Sequence, residues 1–267
     1  MLFVKSWIKF PLKIFANLEF RIRGKILRIK LKFFELVNKK YVKSTYGVFL
    51  KANYEDVTFR LCILGCYGNF YCDRLKNIDE EFIFLDIGAN QGIYSLIASQ
   101  NSKNYKTYAF EPVPQTFNFL KENINYNNLK LKCFPIPKAI SNKLGTSKIA
   151  ISPNHSGSAT LASRNNLYHN SNFTFKIDLI DSGEVSKIVK EKNYPIYIKI
   201  DVEGHEKVVI NELIKSNFFE NVKEIFFEVD LKWVNLEHIK QKLLNKGFKS
   251  FQMIGSGQHF DILATKD

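Results

Sequence analysis

The chain has 267 residues, 45% of them hydrophobic and 24% charged, which gives it material for a buried core and sets it apart from disordered chains. Thirty-nine Lys and Arg against 26 Asp and Glu leave a net charge of +13, and the length fits one large domain or one domain with an appendage. Four Cys are too few for a disulfide scaffold, no signal-peptide pattern opens the sequence, and no run of about 18 apolar residues is free of charge, so a cytoplasmic chain without a transmembrane helix is expected.

The charge is concentrated at the front. Residues 1–43 hold nine Lys and three Arg against Glu19 and Glu35, so +10 of the +13 lies there. This divides the chain into a basic arm, residues 1–53, and a main domain, residues 54–267. From Pro11 as a first helical residue, Ile14, Leu18, Ile22 and Ile26 recur at four-residue spacing, the pattern of an amphipathic helix with basic flanks. Such a helix suits the headgroup plane of an anionic leaflet, at the inner face of the membrane. It equally suits a cap packed on the main domain or on a second subunit of an oligomer. Nucleic acid is the weaker partner, because no binding motif accompanies the charge.

From residue 82 short apolar runs alternate with helical patterns, which argues for a parallel sheet wrapped by helices. Strands are expected at 82–85, 106–110 and 131–134, with helices over 93–99 and 114–123. Two further strands, 147–152 and 173–177, flank a polar stretch rich in Asn, Ser and Gly. A helix over 182–192, strands at 195–200 and 224–227, and a helix over 236–246 follow. Strands near 248–253 and 259–264, joined by Gly255-Ser256-Gly257, read as an antiparallel edge hairpin.

Polar groups collect just past the carboxyl ends of these strands, where open α/β sheets bind ligands. Asp86 opens a glycine loop, Asp86-Ile-Gly-Ala-Asn-Gln-Gly92, in which Gly88 lets backbone approach a ligand and Gly92 permits tight entry into a helix. Neither the dinucleotide fingerprint nor a Walker loop is present. A carboxylate before such a loop suits a cationic ligand, and S-adenosylmethionine carries a sulfonium and an ammonium. Glu111, 23 residues beyond Gly88, stands where an acid can accept both hydroxyl protons of a ribose. Together the loop and Glu111 indicate a nucleoside ligand, without separating a nicotinamide cofactor from S-adenosylmethionine.

Asp86-Ile-Gly-Ala-Asn-Gln-Gly-Ile-Tyr94, Phe110-Glu-Pro112 and Ile198-Lys-Ile-Asp-Val-Glu-Gly-His-Glu206 closely resemble the FkbM family of S-adenosylmethionine-dependent methyltransferases, over roughly residues 82–253 in matching order. The resemblance implies a class I methyltransferase fold: a Rossmann-like α/β sheet of seven strands, six parallel and one antiparallel at the hairpin. It also implies O-methylation of a sugar or natural-product hydroxyl, here on a nucleotide sugar or surface-glycan precursor. Asp86, Gly88, Asn90 and Gly92 should then surround the methionine part of the cofactor and Glu111 its ribose. The adenine neighbourhood reads Pro137-Lys-Ala-Ile140, without an acid, so backbone and apolar contacts are expected there.

Methyl transfer to oxygen needs the hydroxyl positioned and one proton removed, because the thioether leaves without an acid. Asp201, His205 and Glu206 are the candidates, with capping of the following helix as their structural alternative. Asp201, Glu228 and Asp230 close two adjacent strands and form a candidate set for Mg²⁺ or a similar hard ion. Cys62, Cys66 and Cys72 match no metal spacing and read as buried thiols. His155 falls in a polar loop able to cover an acceptor or to face solvent; Tyr94 and Trp233 suit an acceptor pocket or the core. A nucleic-acid methyltransferase is disfavoured, since neither an Asn/Asp-Pro-Pro-aromatic loop nor a Pro-Cys pair follows the strand ending at Asp201. A membrane-associated binding protein without catalysis is the alternative outside enzymes.

Overall fold

The computed structural model describes residues 25, 28–152, 154–161, 173–191, 193–232 and 234–266. The helix expected from Pro11 and the aromatic Trp233 lie outside them. Helix α1, at residues 28–36, leads to a hairpin of β1 (Tyr41–Lys43) and β2 (Phe49–Lys51), then to helices α2 (Val57–Leu64) and α3 (Asn69–Lys76). Next come β3 (Phe82–Ile87), α4 (Ile93–Gln100), β4 (Asn104–Phe110), α5 (Pro114–Tyr126) and β5 (Cys133–Ile136). Four strands follow: β6 (Lys138–Ile140), β7 (Gly145–Ser152), β8 (His155–Thr160) and β9 (Thr174–Ile180). The chain then runs through α6 (Ser182–Ile188), β10 (Ile196–Ile200), α7 (Glu206–Leu213), β11 (Val222–Asp230), α8 (Leu236–Leu244), β12 (Ser250–Ser256) and β13 (His259–Thr265).

The main sheet has the order β12-β13-β11-β10-β3-β4-β5. Every pair is parallel except those made by β13, which runs against β11 and β12, so six strands point one way. This is the class I methyltransferase sheet. The two centremost strands read Phe-Ile-Phe-Leu-Asp-Ile and Ile-Tyr-Ile-Lys-Ile and are buried at every residue, as parallel strands covered on both faces must be. One face packs Ile83, Leu85, Ile198 and Ile200 against Val209 and Leu213 of α7 and Ile239 of α8. The other packs Phe82, Phe84, Tyr197 and Phe226 against α2, α3 and α4, with Tyr71 stacked on Phe226 at 4.2 Å.

From β3 the chain winds outward to β5, then returns to β10 beside β3 and winds outward the other way. The carboxyl ends of β3 and β10 therefore flank the crevice where open sheets place their ligands. A second sheet, β6-β9-β7-β8, stands beside that crevice with its own core of Val113, Ala139, Ile149, Ile177 and Leu179. Sequence periodicity places β7 and β9 but not β6, too short at three residues to show a period, nor β8, where His-Ser-Gly-Ser-Ala-Thr has no apolar alternation. His155 is thus the first residue of a strand and not part of a loop. The edge hairpin forms as expected, with β12 continuing to Ser256 and Gly257-Gln258 making its turn. Gly257 has φ +88, the geometry a two-residue hairpin turn demands of its first residue.

Residues 41–51, grouped with the arm on charge alone, lie on the main fold. Val42, Val48 and Leu50 are fully buried, Tyr41 stacks on Tyr126 of α5 at 3.8 Å, and Asn127 bonds both the N–H and the carbonyl of Phe49. The charge boundary marks a change of surface rather than a break in the core. Among the described residues, no helix is long and apolar enough to cross a membrane.

Candidate active site

Strand β3 ends in a loop whose backbone is shaped by three left-handed residues: Gly88 (φ +76), Asn90 (φ +52) and Gly92 (φ +93). A Cβ on Gly88 would stand 1.9 Å from the backbone oxygen of Asp201, so the ends of β3 and β10 touch main chain to main chain. Above this contact opens a cavity lined by Gly88, Asn90, Glu111, Asp201, Glu203 and His205, with Phe110, Pro112, Ile140, Ile149 and Leu161 as its apolar wall.

Glu111 is 5% exposed, and its two carboxylate oxygens accept from the N–H groups of Asn90 and Val113 at 2.9 and 2.8 Å. Burial pushes its carboxyl up to about 7 against the lowering effect of those two bonds. Asn90 in turn accepts from the hydroxyl of Ser156 at 2.9 Å, and Asp56 accepts from the Ser156 N–H at 2.7 Å and from Gln91 at 3.0 Å. Asp56 also caps α2 through the Phe59 N–H. One buried carboxylate therefore clamps β8, the glycine loop and α2 together, and Ser156 and Gly157 become cavity wall.

Asp86 and Gly92, expected around the methionine part of the cofactor, do not line the cavity. Asp86 points into the sheet's helix-covered face, where Oδ2 accepts from the Ser95 N–H and hydroxyl at 3.0 and 2.6 Å. Its Oδ1 lies 3.5 Å from Lys199 Nζ. Gly92 fits against Leu120, whose Cδ1 would meet an added Cβ at 2.5 Å. Both shape the loop from behind. Gly88, Asn90 and Glu111 reach the cavity itself.

On the opposite lip, Asp201 Oδ2 accepts from the Tyr67 hydroxyl at 2.7 Å and lies 3.5 Å from Lys199 Nζ. The Lys199 ammonium, itself buried, donates to the Gly88 carbonyl at 2.7 Å. Burial alone would lower its pKa; the carboxylates of Asp201 and Asp86 outweigh it and hold the group above its ordinary value. His205 stands at the N-cap position of α7 without a side-chain bond to the helix, faces the cavity and places Nε2 3.1 Å from the Ser141 hydroxyl. Burial lowers its pKa, which keeps the imidazole neutral near pH 7.

Glu206, the third expected catalytic group, is 1% exposed and absent from the cavity wall. It accepts from the N–H groups of Gly204 and Val202 at 2.9 and 3.3 Å and holds the turn in which Glu203 takes φ +52. It serves the turn: one carboxylate oxygen takes both backbone N–H bonds, and the group does not face the cavity.

Of the expected metal set, Asp201 and Glu228 come together, but Asp230 does not; it accepts from the Lys232 N–H at 2.9 Å in its own turn. Alternation puts the two on the same face of β11, but Asp230 is the last residue of the strand, opposite His259, whereas Glu228 stands two residues further in, opposite Asp261. Glu203 takes the third place, and one oxygen from each of Asp201, Glu203 and Glu228 lies within 4.8 Å of the others. Glu228 also meets His259 at 2.9 Å, and burial together with Asp201 pushes its carboxyl up to about 10. Asp261, opposite Glu228 on β13, is raised to about 7 by burial and then by Asp201.

Tyr94 is core, 4% exposed, with Lys199 Nζ 5.4 Å from its ring. Cys62 and Cys72 are buried as expected, whereas Cys66 is exposed. The residues that sequence reasoning missed are Tyr67, Asp56, Ser141, Ser156 and the role of Lys199. Only Lys199 carried a legible signal: a lysine inside an otherwise apolar, fully buried strand requires a partner. The other four reach the site from distant parts of the chain.

The model of the methyltransferase FkbM domain matches residues 86–250, from the glycine loop to the start of the edge hairpin. Hexuronic acid methyltransferase AglP of Haloferax volcanii is 28% identical over 159 residues, 58% of this chain, and the match spans 59% of that protein's length. Methyltransferase sdnD of Sordaria araneosa is 24% identical over 204 residues, 67% of this chain and 78% of sdnD. Among solved structures, TrmK of M. capricolum in complex with S-adenosylhomocysteine aligns at TM-score 0.46 and 13% identity, covering 74% of this chain and 68% of that one. TYW2 of M. jannaschii in complex with AdoMet aligns at TM-score 0.45 and 14% identity, covering 83% and 82%. With more than half of its length matched by the family model, and with the motif-bearing strand ends inside the matched segment, the chain belongs to the FkbM methyltransferase family.

Proposed function

We propose that this chain is an S-adenosylmethionine-dependent O-methyltransferase acting on a hydroxyl of a sugar, within a nucleotide sugar or a surface-glycan precursor. The observation that carries it is the cavity at the β3/β10 switch point, with Glu111, Asn90 and Gly88 on one lip and Asp201 and His205 on the other. The donor set suits the cofactor: Glu111 and Glu203 bring carboxylates to a crevice whose ligand would be a cation, and Glu111 retains lone pairs for ribose hydroxyls. Bound there, S-adenosylmethionine would supply a methyl group on positive sulfur, leaving as a neutral thioether.

The protein's own work is then to hold a hydroxyl in line and to accept its proton. Asp201 is fixed by Tyr67 and Lys199 with its charge compensated, and His205 is kept neutral by burial and steadied by Ser141, so two proton acceptors stand on the same lip. The sugar assignment draws support from AglP, whose name describes a hexuronic acid methyltransferase. The deciding experiment incubates the protein and cofactor with nucleotide sugars and glycan intermediates and searches by mass spectrometry for products one methyl heavier. Absence of cofactor binding by calorimetry would overturn the enzyme reading; binding without any methylated sugar would overturn the acceptor.

Asp201, Glu203 and Glu228 favour a second element of this reading, since three convergent carboxylate oxygens are the donors a hard divalent ion takes. An ion held there would bind a sugar diol and lower the pKa of the attacked hydroxyl. Chelation followed by Mg²⁺ add-back tests it, and turnover indifferent to chelator removes the ion from the mechanism.

A further inference from the structure

Helix α1 carries apolar residues on two opposite sides, and only one side meets the protein. At about 100° per residue, Leu31 and Phe34 fall on the inner side; Leu31 is 7% exposed, and both pack into the core shared with β1 and β2. Ile29, Phe33 and Leu36 fall on the outer side, at 69%, 57% and 83% exposure, and Val37, in the turn just past the helix with its N–H still bonded to the Phe33 carbonyl, joins them at 52%. Their spacing of four, seven and eight residues makes one continuous stripe. Lys30 borders it on one edge, Arg28 and Lys32 on the other, and all three are exposed. Arg28 and Lys32 stand where the stripe turns into the groove towards α2, and Glu35, the single acid among the described residues of α1, lines that groove with them and Arg60.

We propose that this outer stripe of α1 seats the protein on an anionic lipid bilayer, with Ile29, Phe33, Leu36 and Val37 entering the acyl boundary and Arg28, Lys30 and Lys32 meeting the headgroups. A bilayer satisfies both halves of the surface at once. Long basic side chains at the edges of an apolar stripe lay their stems along it and lift their charges to the headgroup level. A nucleic acid would satisfy the cations but leave four large apolar side chains without an apolar host. A second copy of this chain would cover the stripe but bring two cationic rims together, in a region holding +10 over residues 1–43. Leu31 and Phe34 pack the helix onto the core shared with β1 and β2, so the bilayer contact joins the main domain through packed side chains.

The test uses the full chain and sedimentation with phosphatidylcholine vesicles, with and without phosphatidylglycerol. Binding is expected only to the anionic vesicles and should weaken as salt rises. The triple variant Ile29→Ser, Phe33→Ser, Leu36→Ser should lose tenfold or more in vesicle partitioning. Lys30→Glu with Lys32→Glu should weaken the preference for anionic lipid and flatten its salt dependence, the first 43 residues keeping +6 of their +10. Because these side chains are exposed, both variants should keep the wild-type unfolding midpoint and cofactor affinity, which separates a lost surface from a lost fold. Wild-type partitioning by the triple variant overturns the proposal, since charge elsewhere would then account for all binding. So does failure of the wild type to bind anionic vesicles, and so does a dimer, detected by light scattering without lipid, that the triple variant dissociates.

Discussion

Lys199, the penultimate residue of β10, donates a hydrogen bond from its ammonium to the backbone carbonyl of Gly88 at 2.7 Å. One buried cation thereby ties the glycine loop on one lip of the crevice to Asp201 on the other, because the same ammonium lies 3.5 Å from Asp86 and 3.5 Å from Asp201. Lys199→Met should cost about 3–5 kcal/mol of stability, the scale of a buried ion pair broken from one side. Adding Asp86→Asn to Lys199→Met should recover part of it by removing the orphaned charge. Urea unfolding of the single and double variants measures both, and a double variant less stable than Lys199→Met would contradict the pairing.

Proton removal should be separable from cofactor binding. Asp201→Asn and His205→Ala are each expected to lower kcat by about 10²–10⁴ while calorimetric affinity for S-adenosylmethionine stays within a few-fold. Tyr67→Phe, which removes the hydrogen bond that aims Asp201, should lower kcat less than Asp201→Asn does. Near-wild-type rates in both Asp201→Asn and His205→Ala would exclude these groups as the proton acceptors.

Glu111 makes cofactor affinity depend on pH. Its carboxyl ionises at about 7 because burial outweighs its two backbone hydrogen bonds, and only the ionised form accepts from both ribose hydroxyls. Affinity should therefore rise between pH 6 and pH 8 by about tenfold or less, and Glu111→Gln should flatten the profile while weakening binding. Without ligand the sign for stability is opposite. A carboxyl raised above its unfolded value favours the fold at low pH and withdraws that stability as pH climbs through 7. The loss runs from about pH 4.5 to about 7, and melting of wild type relative to Glu111→Gln across that window reads it directly.

Gly88→Ala and Gly145→Ala isolate the close approach of the two strand ends. Both positions have positive φ, +76 and +123, so both substitutions carry backbone strain of roughly 1–3 kcal/mol. Only at Gly88 does the new methyl strike another backbone, at 1.9 Å, while nothing lies within 4 Å of Gly145. Gly88→Ala should lower the unfolding midpoint further and abolish cofactor binding; Gly145→Ala should leave binding intact. Equal effects would show that φ alone accounts for both.

The legible part of the site was the part written in consecutive residues. Gly88, Asn90, Glu111, Asp201 and His205 sit at strand ends that the pattern of apolar runs located, and strand ends in a parallel sheet converge by topology. Asp86, Gly92 and Glu206 belong to the same motifs but face inward. Which way a motif residue turns depends on the pleat and on the helix packed behind it, and the motif does not record either. The metal set shows the same limit: Asp230 was chosen by its place at a strand end, whereas Glu203 reaches the cluster through a left-handed turn.

By itself the sequence determined the alternation of strands and helices, the edge hairpin, the strand ends that form the crevice and the segregation of +10 into the first 43 residues, because each is a matter of local composition or period, while the class I sheet followed from the resemblance of its motifs to a family. Tertiary structure alone decided the partners that arrive from far along the chain. Tyr67 meets Asp201 across 134 positions, and Asp56 meets Ser156 across 100. The basic arm also changed character. Charge marked residues 1–53 as one region, but packing buried Leu31, Val42 and Leu50 in the main core and left Ile29, Phe33 and Leu36 outside it. Composition counts a leucine the same way on either side of a helix; only the fold decides which side has water on it.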